Sequence, residues 1–183
     1  MHCATKNSFV EIVEYLIEIC HVNKEAKTSN GCTALHHACE LGHMEIIKFL
    51  LQTCHVDKEA RCNSGWTALH CATKNGFVEI VEYLIEICHV NKEAKTSNGC
   101  TALHHASELG HVEIIKFLLQ ICHVDKEAKC KCGWTALHYA TKNSFMEIVK
   151  NLIETCHVNK EAKDNCGRSP HDYARGNIRE YLK

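Results

Sequence analysis

Fourteen cysteines and fifteen histidines in 183 residues make metal binding and nucleophilic catalysis the first chemistries to test. Cys20, Cys54, Cys88, Cys122 and Cys156 each precede a histidine, His21, His55, His89, His123 and His157, on a strict interval of 34 residues. Residues one such unit apart stand roughly 8–10 Å from each other if the units stack through helices, whereas two sulfurs on one zinc lie within about 4 Å. A cysteine and histidine adjacent at a helix end cannot both turn to one ion. Each pair therefore reads as a small buried thiol beside a loop imidazole. Cys130, Cys132 and Cys166 make a better ligand set because Cys-x-Cys can chelate, but they supply three ligands only. Cys132 and Cys166 are also one unit apart, beyond the ~7 Å between Cα atoms that a disulfide needs. His36, His70, His104 and His138 are candidate general bases, yet all four sit in the same repeated string, so nothing singles out one of them. Phosphate loops, nucleophile elbows and His-Glu-x-x-His are missing from the sequence. No catalytic residue, metal ligand or cofactor is expected, and the chain is not read as an enzyme.

The elements that position these residues follow from the period. Thr-Ala-Leu-His recurs at 33–36, 67–70, 101–104 and 135–138, and residues 21–88 match 89–156 at 56 of 68 positions, so a pair of units was duplicated. In one unit Thr67 can cap a short first helix through Ala68, Leu69, His70 and Ala72. Gly76 then ends it, since glycine adopts the left-handed conformation without steric cost. Gly42 and Gly110 are equivalent, while Ser8 and Ser144 replace the glycine and should weaken those ends by about 1 kcal/mol. The second helix carries Phe77, Val81, Leu84, Ile85 and Cys88 at helical spacing, widened by Val78, Ile80 and Ile87. A stripe that broad buries on two sides, which requires neighbouring units, each buried Leu, Ile or Phe contributing roughly 1.5–3 kcal/mol. Lys-Glu-Ala-Lys and then Asn30-Gly31 or Asn98-Gly99 give a two-residue hairpin signal, and so a projecting turn between units.

Composition limits the partners. Hydrophobic residues at 45%, charged residues at 23% and a single proline describe a chain folded throughout. A formal net charge of −1, with Lys and Glu interleaved, offers no basic stripe for nucleic acid. No stretch reaches ~18 uncharged apolar residues and no signal peptide is visible, so neither membrane insertion nor secretion is expected. The cysteines ride on helical patterns and read as reduced, in an intracellular and cytoplasmic setting.

Gly-Trp-Thr-Ala-Leu-His-Cys-Ala at 65–72, with Asn75-Gly76-Phe77 and Val78-Glu79-Ile80-Val81, resembles the ankyrin repeat, whose signature is Thr-Pro-Leu-His-x-Ala on a period near 33. The resemblance recurs along essentially the whole chain. It implies an all-α solenoid of stacked antiparallel helix pairs with projecting β-turn fingers. Thr33, His36, Thr67, His70, Thr101, His104, Thr135 and His138 become the structural motif, the histidines hydrogen-bonding within and between units. Two features depart from the pattern: Ala34, Ala68, Ala102 and Ala136 replace the helix-starting proline, and one extra residue precedes each finger, in Cys-His-Val-Asn-Lys-Glu.

The units expected are a partial first repeat at 1–20, full repeats at 21–54, 55–88, 89–122 and 123–156, and a shortened cap at 157–183, together one domain. The opening Met1-His2-Cys3-Ala4 matches Leu69-His70-Cys71-Ala72, so the array is expected to begin upstream, with residues 1–20 its least protected part. The resemblance implies a non-catalytic protein-binding module, monomeric, contacting a protein partner through finger tips and first helices; a structural spacer in a larger protein is the alternative. Candidate contacts are the variable inner positions His37, Cys71, His105 and Tyr139, and the finger-base Trp66 and Trp134, which can equally pack one finger on the next. Leu41 and Leu109 are either exposed contacts or packed beneath a finger. Thr28, Ser29, Asn63, Lys131 and Asn165 at the finger tips read as solvated.

Overall fold

A computed structural model describes residues 1–7 and 9–183; Ser8, one of the two serines expected to weaken a helix end, lies outside them. It is helical, with no strand among the described residues. The chain divides into two compact units, Met1–Thr96 and Ser97–Lys183.

The first unit holds α1 (His2–Lys6), α2 (Val10–Glu18), α3 (Ala34–Leu41), α4 (Met44–Lys48), α5 (Ala68–Lys74) and α6 (Val78–Glu82). The second holds α7 (Ala102–Leu109), α8 (Val112–Lys116), α9 (Ala136–Lys142), α10 (Met146–Lys150), α11 (Pro170–Tyr173) and α12 (Gly176–Tyr181). First helices stack on first helices: α3 lies between α1 and α5, and α9 between α7 and α11. The broad apolar stripes are buried as their width requires. Leu35, Ile46, Ile47, Leu50, Leu69 and Leu84 are closed from solvent in the first unit, as are Ile114, Ile115, Leu118, Leu137, Ile148 and Leu152 in the second. The outer side of α2 is uncovered, with Phe9, Ile12, Tyr15 and Ile19 about half exposed.

Helix starts and stops follow the local chemistry. Thr33, Thr67, Thr101 and Thr135 stand in extended backbone as N-caps. Gly42, Gly76 and Gly110 take φ of 80°, 75° and 87° at the first-helix ends. Ser144 is forced into the same region at φ 63°. A side chain there costs roughly 1–2 kcal/mol, against 0.5–1 kcal/mol for the extra chain entropy of glycine. Ser144→Gly is therefore expected to stabilise the protein by about 0.5–1 kcal/mol, read as a higher urea midpoint at unchanged slope; a lower midpoint would contradict the strain.

The extra residue of each unit is absorbed at the end of the second helix. α4, α6, α8 and α10 each continue into a wider π turn, Phe49–Thr53, Tyr83–Ile87, Phe117–Ile121 and Asn151–Thr155. A π turn is what one inserted residue makes in a helix. His55, His89, His123 and His157 then reverse the chain at φ of 51–52°, bringing the amide of Val56 to the carbonyl of Leu50 at 3.1 Å in the first of them. The fingers beyond stay regular. Their loops are one residue longer than the two-residue hairpin expected from Asn-Gly: Thr28 N–H donates to Cys32 C=O at 2.9 Å, Gly31 N–H to Thr28 C=O at 2.8 Å, and only Gly31 is left-handed. This is the three-residue hairpin closed by a left-handed glycine.

Candidate functional site

Each Thr-Ala-Leu-His motif is a knot of hydrogen bonds. His36 Nδ1 accepts from the Thr33 amide at 3.1 Å and faces the Thr33 hydroxyl at 2.9 Å. Its Nε2 then carries the proton and donates to the Trp66 carbonyl of the next finger at 3.0 Å. His104 repeats this on Thr101 and Trp134, and His138 on Thr135 and the Arg168 carbonyl. His70 receives the Thr67 amide and hydroxyl in the same way. In His36, His104 and His138 both ring nitrogens are committed in the neutral form, and each of these histidines ties its repeat to the following finger.

Burial pushes His36, His37 and His138 below their ordinary value, and for His36 and His138 it outweighs the backbone bond that works the other way. The sign follows from linkage: the unfolded imidazole, at about 6.5, takes a proton before the folded one does. The stability these groups give is present above that value and is lost as pH falls through it toward the folded one. The melting temperature is expected to drop between pH 7.5 and 5; an unchanged one would contradict neutral burial.

A second set of ties was not legible in the sequence. Lys24 Nζ donates to the Cys54 carbonyl at the end of the second helix of its own repeat, and Lys126 does the same to Cys156 at 2.7 Å. Glu25 accepts from the Asp57 amide at 2.8 Å, Glu59 from Asn91 at 2.6 Å and Glu127 from Asn159 at 2.7 Å. The Lys-Glu of these finger stems thus satisfies a helix-end carbonyl of the same repeat through the lysine and a loop amide of the following repeat through the glutamate. Its signal was the string itself, which recurs without an apolar reason.

The thiols spread over the repeats. Cys54 and Cys122 are buried, Cys88 and Cys156 half-buried and Cys20 exposed, and no group of three metal-binding side chains lies together among the described residues. Cys130 and Cys132 approach to 3.0 Å between sulfurs, while Cys166 stands exposed beside the Asp164 turn. Asp164 organises the last finger. It accepts from the amides of Cys166 and Arg168 at 2.8 and 2.9 Å, from Trp134 Nε1 at 3.2 Å and from the Tyr173 hydroxyl, and these donors, Tyr173 foremost, hold its carboxyl well below the usual carboxylate range.

The candidate contact residues fall into three groups. His37 and His105 are buried, 7% and 8% exposed, with Nδ1 turned to Glu40 and Glu108, so they offer a partner almost no surface. Leu41 and Leu109 are 42% and 43% exposed, which settles them as surface residues at the ends of α3 and α7. Trp66 and Trp134 are half-buried at the finger bases, each under a lysine, Lys74 at 5.5 Å and Lys142 at 4.9 Å from the ring centre. Asn63, Lys131 and Asn165 are exposed at the tips, yet their amides bond the preceding finger at 3.0, 2.9 and 3.1 Å.

Cys71 and Tyr139 occupy the same position on α5 and α9 and create different surfaces. In the first unit a cleft of about 610 Å³ opens between fingers and first helices, lined by Cys32, Cys62, Trp66, Cys71, Glu40 and His36. In the second unit the Tyr139 ring meets Trp134 edge-on at 5.1 Å, and its hydroxyl lies 3.4 Å from Cys100 Sγ and 3.8 Å from Cys130 Sγ. Burial raises the pKa of both Cys71 and Tyr139, keeping thiol and phenol neutral.

No helix among the described residues is long and apolar enough to cross a membrane. Comparison with curated proteins returns no match. A family model described as ankyrin repeats (3 copies) matches residues 1–61, 54–127 and 119–183. The threonine–histidine knots, left-handed first-helix ends and finger turns fall inside these spans, and ankyrin repeats are in general protein–protein interaction modules. Stacked helix pairs, projecting turns and a match along the full length place the chain in the ankyrin-repeat family.

Proposed function

We propose that this chain is a non-catalytic protein-binding module that receives its partner on the side of the fingers and first helices. The observation that carries the reading is the cleft of the first unit. It is concave, about 610 Å³, and walled by a half-buried Trp66 with a lysine and a glutamate at its rim. That size and mixture suit a recognition pocket, and tryptophan is a preferred interface anchor. The one histidine on its wall, His36, is already committed to backbone partners, which favours recognition over bond chemistry as its use.

A photo-crosslinking residue placed at Ser64, on the cleft, or at Glu86, exposed on the π turn after α6, tests this. The expected result is a protein adduct from Ser64 that is reduced at least tenfold from Glu86 and lost on Trp66→Ala. Equal labelling from both positions would refute the assignment of the binding side.

A further inference from the structure

The internal duplication supplies a filled counterpart of the open cleft. Its lining residues have counterparts 68 positions later, and only Asn63, Ser64 and Cys71 differ, standing as Lys131, Cys132 and Tyr139 in the second unit. The tryptophan, the two finger thiols, the repeat histidine, the glutamate and the lysine are the same on both sides of the duplication. In the second unit these groups hold a phenol. The Tyr139 ring stands edge-on to Trp134 at 5.1 Å and to His104 at 5.7 Å, with its hydroxyl between the sulfurs of Cys100 and Cys130 at 3.4 and 3.8 Å. In the first unit Trp66, His36, Cys32 and Cys62 line the cleft, and Cys71 leaves the volume of the ring open.

We propose that the first unit's cleft is a receptor for the side chain of a tyrosine on a partner protein, seated where the second unit seats its own Tyr139. The proposal rests on the protein-binding reading and adds its specificity. A tyrosyl ring fits the chemistry of the walls in two ways. Its faces and edges pair with an indole and an imidazole, contacts worth about 0.5–1.5 kcal/mol beyond the area they bury. Its hydroxyl reaches soft sulfur atoms, which accept weakly and cost little to desolvate. An aliphatic side chain would leave the hydroxyl seat between the thiols unfilled.

The test uses p-cresol and N-acetyl-tyrosinamide as probes on the whole chain under reducing conditions, read by the indole N–H resonances of Trp66 and Trp134. Saturable shifts at Trp66, with an affinity on the order of 1 mM for so small a probe, and none at Trp134 are expected. Cys71→Tyr installs the residue already native at the matched position and is expected to weaken probe binding at least tenfold. Tyr139→Cys opens the second seat and is expected to bring saturable shifts at Trp134. Should that variant unfold, the first two arms stand without it. Equal shifts at both tryptophans of the parent chain, or a Cys71→Tyr chain that binds the probe as well as the parent, would overturn the proposal. Ser64 cross-linking that survives Cys71→Tyr, with probe binding gone, would overturn the tyrosyl receptor and leave the protein-binding module standing. Probe binding intact in a chain that cross-links no protein would instead remove the module reading.

Discussion

His36→Ala is expected to lower the unfolding free energy by about 2–4 kcal/mol at pH 7.5. The ring is 1% exposed and serves three groups: the Thr33 amide at 3.1 Å, the Thr33 hydroxyl at 2.9 Å and the Trp66 carbonyl at 3.0 Å. Alanine leaves each with nothing to bond where water has poor access, and every such buried group costs about 1–3 kcal/mol, with incomplete additivity. A cavity alone would give a loss of similar sign, so pH supplies the distinguishing mark. The parent loses the histidine's contribution on acidification and the variant has none to lose. The gap between them, measured by urea unfolding, should therefore narrow from pH 7.5 to 5; a constant gap would mean that the imidazole acts by volume only.

Gly133→Ala should cost about 2 kcal/mol or more, against about 1 kcal/mol for Gly167→Ala. Both glycines are left-handed, at φ of 83° and 76°, so both changes carry backbone strain. A methyl group at 133 would also sit 2.5 Å from Asn165 Oδ1, 2.7 Å from the Asn165 nitrogen and 3.0 Å from the Asp164 carbonyl carbon. Room for it requires parting the fingers and breaking the bond from the Asn165 amide to the Cys132 carbonyl at 3.1 Å. At Gly167 nothing lies within 4 Å. The difference between the two variants isolates finger-to-finger contact from strain, and equal losses would show that the fingers do not bear on each other.

The parts visible in the sequence were those whose partners are near in the chain. Thr67 and His70 are three residues apart, Gly42 and Gly110 mark helix ends, and the apolar stripe from Phe77 to Cys88 has its period written in it. Bonds to backbone atoms about thirty residues away leave no such trace. Lys24 on the Cys54 carbonyl and Glu25 on the Asp57 amide span about one unit, and a carbonyl has no letter in a sequence. The extra residue was visible as an insertion, but its resolution into a π turn and a left-handed His55 depends on how far the second helix can widen while Leu50 stays buried. At the site, variation among His37, Cys71, His105 and Tyr139 was apparent, whereas its meaning was not. Whether an inner position faces solvent is set by its neighbours: Glu40 at 3.3 Å and the His2 ring at 5.7 Å crowd His37, whereas Cys71 lines the open cleft.

The lysine and histidine ties span strides of about thirty residues, the lysines closing a repeat on itself and the histidines joining it to the next, as in Lys24 to Cys54, His36 to Trp66, Lys126 to Cys156 and His138 to Arg168. A chain clamped at such intervals behaves under tension as a row of latches, each holding a similar length of slack. Pulled from its ends it should surrender that slack in equal steps, about 11–12 nm for every 34 residues let out, so that the sequence period becomes a ruler readable by force.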